Sequence, residues 1–292
     1  MNVVKKIRLR NPYVLGYDIN YYYEICHNHD FYEALIVLSG NAIHCVNDRI
    51  QFLEKGDIVF IRPNDAHFLS PSNKARERYE FFNLHITEDY MKTQYSYSKE
   101  LKEKIEEPIL PPIVHLGTRE FIFLSSKLKN LNSMIFGEKR NFFYHTIMKE
   151  IIWHFLADEV SVTATAVPEW FSEFLMEIAR PENFTLNYDE IIKLAGVTEG
   201  TLWRNFKKYI NLTPTEYINN LKIDYAYELV IGSRHDFGEI ASMAGYNNYP
   251  YFYKKFLEKF GVSPKEIRNK QPEAFNVSSA FSMRAEDFLF FV

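Results

Sequence analysis

Apolar and polar positions along this chain follow two rhythms, and the switch between them divides it. Over residues 27–86 the rhythm is that of strands: FYEALIVL (31–38), AIHCV (42–46), IQFL (50–53), IVFI (58–61), HFL (67–69) and YEFFNLHI (79–86). Turn residues separate them at Ser39-Gly40-Asn41, Asn47-Asp48, Lys55-Gly56-Asp57 and Pro63-Asn64-Asp65. Short strands punctuated at roughly 8–12-residue intervals predict a β-barrel or sandwich. Residues 1–24, rich in Tyr and β-branched side chains with a turn at Asn11-Pro12, open the sheet. From 98 to 157 the period becomes helical. YSKELKEKIEE is a charged amphipathic helix broken by Pro108, Pro111 and Pro112. Two longer helices follow, with apolar stripes at Phe121, Leu124, Leu128, Leu131, Ile135 and then Phe143, Ile147, Ile151, Phe155. Stripes at this spacing pack on a core.

VSVTATAVP (160–168) is small-residue and poor in charge, which marks a linker. Beyond it the chain is helical and repeats itself. EIASMAG (239–245) predicts a short helix whose small residues admit another backbone. Gly245 takes the positive φ of a tight turn, and Asn247 or Asn248 caps the next helix. Phe252, Phe256 and Phe260 recur at i, i+4, i+8 and bury one face, leaving Lys254, Lys255 and Lys259 off the stripe. Gly261 supplies a left-handed cap and Pro264 blocks continuation. The same punctuation occurs fifty residues earlier as Leu202, Arg204, Phe206, Ile210, Asn211 and Pro214, with EIIKLAG (190–196) forty-nine residues ahead of EIASMAG. One helical hairpin carries little information; two copies with matching punctuation predict paired helix-turn-helix units. Thr213 to Ile231 is the rigid helix between them, and 168–180 opens the domain.

The run Lys222, Ala226, Leu229, Ile240-Ala241, Ala244-Gly245-Tyr246, Phe252, Phe256, Gly261 and Ser263-Pro264 resembles the signature of AraC/XylS-type transcriptional regulators, and with the first copy the resemblance covers about 168–271. Lys222 stands where the family usually has Arg, and Leu257 where it usually has Lys. The second departure removes a phosphate contact. The resemblance implies double-stranded DNA as partner. Arg204 is then the base reader of the first unit, because its fork matches guanine O6/N7, and Lys254 that of the second. Glu199, Gly200 and Trp203 flank Arg204; Tyr249, Pro250 and Tyr251 flank Lys254. Trp203 packs either on thymine methyls and sugar or into the core. Thr198, Lys207, Lys208, Asn248 and Lys255 are phosphate candidates.

Composition alone does not announce a nucleic-acid partner. The 292-residue chain has a formal net charge of −4. Residues 168–271 hold 13 Lys/Arg against 14 Asp/Glu. The case therefore rests on position: Lys207-Lys208, Lys254-Lys255 and Lys265/Arg268/Lys270 cluster at or after the second helices, whereas Glu169, Glu173, Glu177 and Glu182 precede the first motif. No apolar run approaches the ~20 residues that span a bilayer, and MNVVKKIRLRNPYVLG lacks the apolar stretch of a signal peptide. Cys26 and Cys45, without metal-type spacing, fit buried small hydrophobes in a reduced, cytoplasmic setting.

The first half carries chemistry of its own. His27, His29 and Glu33 are all odd-numbered, so in one strand they share a face. His67 follows a Gly56…Pro63 run, and Asn83 with His85 share a parity in their own strand. Two imidazoles, a carboxylate and a third imidazole hold a divalent transition metal, or hydrogen-bond a small ligand or each other, or simply close the sandwich. His27-x-His29, Glu33 and Gly40 are similar to the first motif of cupin barrels at every position. Gly56, Pro63 and His67 match the second with one spacing longer and one shorter. A cupin barrel ahead of a double helix-turn-helix is an arrangement known among AraC-type regulators. The layout is most like the sugar-responsive regulators of chitobiose utilisation, and such proteins commonly dimerise through helices after the barrel. His44 and His115 have no partner by spacing and read as structural or exposed.

The expected architecture is thus α+β and two-domain. A cupin-like ligand-sensing barrel spans 1–97 and a helical dimerisation segment 98–159. The linker 160–168, an all-α DNA-binding domain at 169–271 with two helix-turn-helix units, and a tail at 272–292 complete it. The ligand-binding set is His27, His29, Glu33, His67 and Asn83, and the metal set His27, His29, Glu33 and His67. The expected function is a non-enzymatic, homodimeric transcription regulator responding to a small molecule such as a sugar. The alternative is a metal-dependent cupin enzyme with a helical accessory domain, which leaves the duplicated motif without a use.

Overall fold

The computed structural model describes residues 5–7, 15–20, 26–71, 79–135, 137–161 and 167–269. The turn at Asn11-Pro12, most of the linker, Lys270 and the tail lie outside the described residues. The strands are β1 (Lys5–Ile7), β2 (Leu15–Asn20), β3 (His27–His29), β4 (Tyr32–Ser39), β5 (Asn41–Val46), β6 (Arg49–Glu54), β7 (Asp57–Ile61), β8 (His67–Pro71), β9 (Tyr79–Ile86) and β10 (Ile113–His115). They form two five-stranded sheets, ordered β1-β3-β8-β5-β6 and β10-β7-β4-β9-β2. Leu35, Val37, Ala42, Leu53, Val59, Leu69 and Phe81 fill the space between them. The β5–β6 hairpin turns at Asn47 and Asp48, with φ of 48° and 59°. Two consecutive positive-φ residues match the strand twist, and Asn and Asp tolerate them.

FYEALIVL reads as an unbroken apolar run because β4 is covered on both sides. Ala34, Ile36 and Leu38 of β4, Ile58 and Phe60 of β7, and Phe82 and Leu84 of β9 face a helical layer. That layer is α1 (Glu88–Tyr97), α2 (Lys99–Glu106), α3 (Thr118–Ser133) and α4 (Glu138–Ala157). The sequence reading missed α1, whose capping residue Thr87 accepts from Tyr90 N. It also read 98–157 without strands, whereas β10 returns to pair with β7 and Ser161 bridges back to Ile113. Leu124, Leu128 and Leu131 of the α3 stripe are buried, but Ile135 lies past the helix end at 91% exposure. Arg140 is buried and its Nε donates to the Leu131 carbonyl at 3.3 Å, closing the α3–α4 hairpin.

The second half comprises α5 (Glu169–Ile178), a 3₁₀ turn at Pro181–Thr185, α6 (Tyr188–Ala195), α7 (Glu199–Asn205) running into a π turn at Phe206–Ile210, α8 (Pro214–Gly232), α9 (Phe237–Met243), α10 (Tyr249–Phe260) and α11 (Pro264–Asn269). Its apolar side chains form two cores. Phe171, Phe174, Leu202, Phe206, Ile210, Tyr217 and Leu221 make the first. Ile223, Ala226, Val230, Ile240, Phe252 and Phe256 make the second. The first half of α8 belongs to one core and the second half to the other. The first core also continues onto the outer face of the β5 sheet through Cys26, Ile43, Cys45, Ile50 and Phe68. Both cysteines are free and buried, and burial pushes the Cys26 thiol up to about 12. Among the described residues no helix is long and apolar enough to cross a membrane.

Candidate nucleic-acid interface and barrel site

The duplication extends to the helix caps. Asn187 with Glu190 and Asp236 with Glu239 close reciprocal capping boxes on α6 and α9, the first helices of the two units. Thr198 caps α7 by accepting from Thr201 N, and Asn248 caps α10 by accepting from Tyr251 N. After the second helices, Asn211 and Gly261 are both left-handed, with φ of 57° and 72°. Thr213 with Glu216 and Ser263 with Glu266 then form the same reciprocal bonds before α8 and α11. Each unit therefore starts its helices with the same capping chemistry at matching positions, apart from one extra residue in the second turn.

Both second helices bury one stripe and present the other. On α7, Leu202 and Phe206 are buried, while Thr198, Glu199, Gly200, Trp203 and Arg204 are exposed. Arg204 is held along its own helix, Nε to the Gly200 carbonyl at 3.2 Å and a terminal nitrogen to Thr201 Oγ1 at 3.3 Å. Trp203 is 41% exposed, so the core alternative is set aside. Its Nε1 donates to Tyr188 Oη at 3.0 Å, and that hydroxyl donates to Glu199 at 3.1 Å. Lys207 and Lys208 lie exposed on the π turn. On α10, Phe252 and Phe256 are buried, whereas Tyr249, Pro250, Tyr251 and Lys254 are exposed. Lys255 pairs with Glu258 at 2.8 Å, and the same carboxylate lies 3.9 Å from Lys254.

Two cations expected at this surface, Lys259 and Arg268, turn inward, and so does Lys222. Lys259 pairs with the buried Asp224 of α8 at 2.6 Å. Arg268 donates to the Val230 carbonyl at 3.2 Å and stacks on Phe237. Lys222, the family departure, donates from α8 to the Gly245 carbonyl at 3.5 Å, and burial lowers its pKa. Gly245 itself, at φ 73°, packs directly on the Phe184 backbone of the 3₁₀ turn. This is the close backbone approach that the small residues of 239–245 imply, and it ties the second turn to the first unit.

In the barrel, His27 and His29 lie on β3 and His67 on β8, with His27 opposite His67 in the register. Glu33 is not on their strand. The chain bends at Asp30-Phe31, so Glu33 reaches the cluster from β4 in the facing sheet, opposite His85 of β9. One donor atom each from His29, Glu33 and His67 lie within 4.8 Å of one another, and all three residues are buried. His27 flanks them, its ring 4.4 Å from that of His67 and 6.2 Å from that of His29. Asn83 and His85 are buried on β9.

Hydrogen bonds orient the rings. His29 Nδ1 lies 2.6 Å from the Phe31 carbonyl, which only accepts, so Nδ1 carries a proton and Nε2 faces Glu33 Oε2 at 3.3 Å. Of the two alternatives for His44, structural or exposed, the structure has the first: it is buried, bonded to Gln51 at 3.0 Å and to His67 Nδ1 at 3.3 Å, partners that spacing did not show. Parity along β5, with Ile43 and Cys45 facing outward, was the available signal. His115 is exposed, as expected, and its Nδ1 meets Asp57 at 2.8 Å. Burial lowers His44 to about 4 and His85 to about 3, and lowers His67 well below the imidazole range, with His27 and His29 adding repulsion at His85 and His67. Among the described residues, His29 Nε2, Glu33 Oε2 and His67 Nε2 receive no protein hydrogen bond. Three converging lone-pair atoms in a buried site fit a cation. Bonds of ~2.1 Å set donors about 3.4 Å apart, so small rotamer adjustments close the set.

A family described as AraC-like ligand binding domain matches residues 11–102, and one described as helix-turn-helix domain matches residues 191–270. Curated relatives include the HTH-type transcriptional activator RhaR of Mannheimia succiniciproducens, 24% identical over 253 residues, covering 84% of this chain and 87% of that one. The HTH-type transcriptional activator RhaS of Escherichia fergusonii is 22% identical over 266 residues, covering 83% and 86%. Solved structures with some likeness are apo ToxT from Vibrio cholerae (TM-score 0.39, 12% identity, 90% of this chain and 98% of that chain) and the DNA-binding domain of AdpA in complex with a target DNA (TM-score 0.33, 17%, 36% and 97%). With a barrel matching the family's ligand-binding domain and a duplicated, commonly capped helix-turn-helix behind it, the chain belongs to the AraC family of transcriptional regulators.

Proposed function

We propose that this regulator reads double-stranded DNA with α7 and α10, and that a small molecule in the barrel shifts the population of DNA-competent arrangements. The observation that carries the reading is the pair of capped helices whose free faces hold Arg204 and Lys254, with one unbroken helix, α8, linking their two units. At 1.5 Å per residue, the 19 residues of α8 span about 28 Å. A rigid spacer of that length suits probes entering successive major-groove faces, ~34 Å apart. Arg204 reads guanine and Lys254 is the second base-edge donor. Trp203, Tyr249, Pro250 and Tyr251 supply apolar contact, and Gly200 leaves room for close approach. Lys207, Lys208 and Lys255, with the capped helix starts at Thr198 and Asn248, meet phosphates.

The effector class is a sugar or related metabolite, supported by an interior that offers His27, His29, Glu33, His67 and Asn83 to hydroxyl groups. His29, Glu33 and His67 are also the residues that would hold a divalent transition metal, with His27 beside them. When bound, such an ion supplies a Lewis-acidic anchor for effector oxygens. The signal has a short path. β5 and β8 carry His44 and His67 on the inner face and Ile43, Cys45 and Phe68 on the face packed with the α5 core. Ile122, Phe123, Phe142 and Trp153, exposed on α3 and α4, support a homodimer.

Selection of bound sequences from random double-stranded DNA, with and without candidate sugars, tests the function. A recovered motif with two half-sites one turn apart, altered in occupancy by a sugar, supports it. Recovery of random sequence sinks it. The second reading, a metal-dependent enzyme, draws on the His29–Glu33–His67 set; turnover by protein loaded with iron or manganese would favour it.

A further inference from the structure

We infer that His44 and Gln51 are positioning residues that decide which nitrogen His67 turns into the barrel cluster. The inference rests on reading that cluster as the effector or metal site. It begins at a group that admits one role. The Pro111 carbonyl only accepts, so Gln51 Nε2 donates to it at 2.9 Å. That fixes the amide, and Gln51 Oε1 is left to accept from His44 Nδ1 at 3.0 Å. A neutral His44 then has its lone pair on Nε2. His67 Nδ1 lies 3.3 Å away and must be the donor. His67 in turn is left with a lone pair on Nε2, the atom gathered with His29 and Glu33.

His29 reaches the same state from the other side, since its Nδ1 proton is committed to the Phe31 carbonyl. Two backbone carbonyls, at Pro111 and Phe31, thus set both ring tautomers from outside the cluster. The four side chains, His29, His44, Gln51 and His67, are 0–1% exposed, so water does not compete for these bonds. The result is a site that presents two imidazole lone pairs and a carboxylate. That donor set selects a divalent transition metal over an anion. Such outer partners commonly change metal affinity by about 10–100-fold when removed. A merely space-filling role for Gln51 predicts no change in the state of the His67 ring.

The test uses the full chain labelled with ¹⁵N-histidine. Long-range ¹H–¹⁵N correlation of the metal-free protein reads the His67 tautomer directly, and Co(II) titration by its visible absorption reads affinity. Gln51→Met keeps the volume and removes the acceptor. Gln51→Glu, protonated in this buried place, restores both bonds. We expect an Nδ1-protonated His67 in the wild type. Co(II) binding should weaken by at least about tenfold in Gln51→Met and stay within about threefold of wild type in Gln51→Glu. An Nε2-protonated His67 in the wild type overturns the inference, as does Gln51→Met binding Co(II) as tightly as wild type. Wild-type protein that ignores Co(II) while showing the expected tautomer defeats the metal reading and leaves the relay standing.

Discussion

Gly245→Ala separates a local backbone cost from a packing cost, and the structure supplies its own controls. Gly196, Gly245 and Gly261 are all left-handed, with φ of 65°, 73° and 72°. An L-residue in that region costs about 1–2 kcal/mol. At Gly196 and Gly261, among the described residues, nothing lies within 4 Å of an added β-carbon, so alanine there meets the backbone cost and little else. At Gly245 the added carbon collides with the Phe184 carbonyl oxygen and sits 2.6 Å from its carbonyl carbon and 3.3 Å from its Cβ. The two nearest are backbone atoms and the third is the β-carbon fixed to that backbone, so no side chain can swing aside. Phe184 is itself buried and its ring packs on Tyr225 of α8. Relief requires the 3₁₀ turn and the α9–α10 turn to part, and overpacking of that kind costs about 1–3 kcal/mol more. The expected totals are about 1–2 kcal/mol for Gly196→Ala and Gly261→Ala and about 2–5 kcal/mol for Gly245→Ala.

Urea unfolding of the full chain, followed through the fluorescence of Trp153, Trp170 and Trp203, gives the three values side by side. Operator binding measured on the same variants adds the functional readout, because parting the two turns also shifts α10 relative to α7. Equal destabilisation at all three glycines, within about 0.5 kcal/mol, would refute the reasoning. It would mean that the two units are not locked through the Phe184 backbone.

Four further outcomes follow from named contacts. Arg204→Ala should weaken operator binding by about 1–3 kcal/mol and relax one base position in a binding selection; unchanged affinity and preference would reverse the orientation assigned to α7. Lys259→Met leaves Asp224, 1% exposed, without its ammonium and should cost about 3 kcal/mol in a urea melt, far more than an exposed pair would. Folding should weaken on acidification, because His44, lowered from 6.5 to about 4, stays neutral when folded while the unfolded chain takes up a proton. The loss begins near pH 6.5 and reaches about 2 kcal/mol from this histidine at pH 5, with His85, lowered to about 3, adding a similar amount; melts that match at pH 7 and 5 would contradict it. Operator affinity per protomer should fall with salt at a log–log slope near −4 to −5, from about five exposed cations on the reading helices, and a slope steeper than about −8 would show contacts beyond them.

What was legible in the sequence was whatever depends on local order. The strands of 27–86, the two copies of the motif, the left-handed caps at Asn211 and Gly261, and the exposure of Arg204 and Lys254 all follow from spacing and turn chemistry. Contacts between distant segments were not. β10 was hidden because three residues after a proline cluster carry no period. His44 seemed alone because its partners, Gln51 and His67, are set by sheet register and not by sequence distance. Glu33 was placed with His27 and His29 by shared parity on one strand. They meet instead across two sheets, because the chain bends between them. Lys259 read as a surface cation because Asp224, its partner, lies 35 residues earlier on another helix.

Near-neutral charge in a DNA-binding domain loses its oddity once the acids are located. Glu190, Glu216, Glu239 and Glu266 each sit in the first turn of a helix and accept from the backbone N–H of the capping residue. A helix start carries a partial positive charge of roughly half a unit, so much of the field of each carboxylate is offset where it stands. Asp224 is offset by Lys259 in the same way, inside the fold. The cations on the reading helices have less opposition, with Glu258 as the neighbour of Lys254 and Lys255 and Glu199 at the start of α7. Two domains with this same net charge would therefore present different potentials to a phosphate backbone, according to whether their acids cap helices or line the reading face. Moving one carboxylate from a cap to the free face of α7, as in a Glu190→Gln, Gly200→Glu double variant, keeps the count of charges and should still weaken DNA binding.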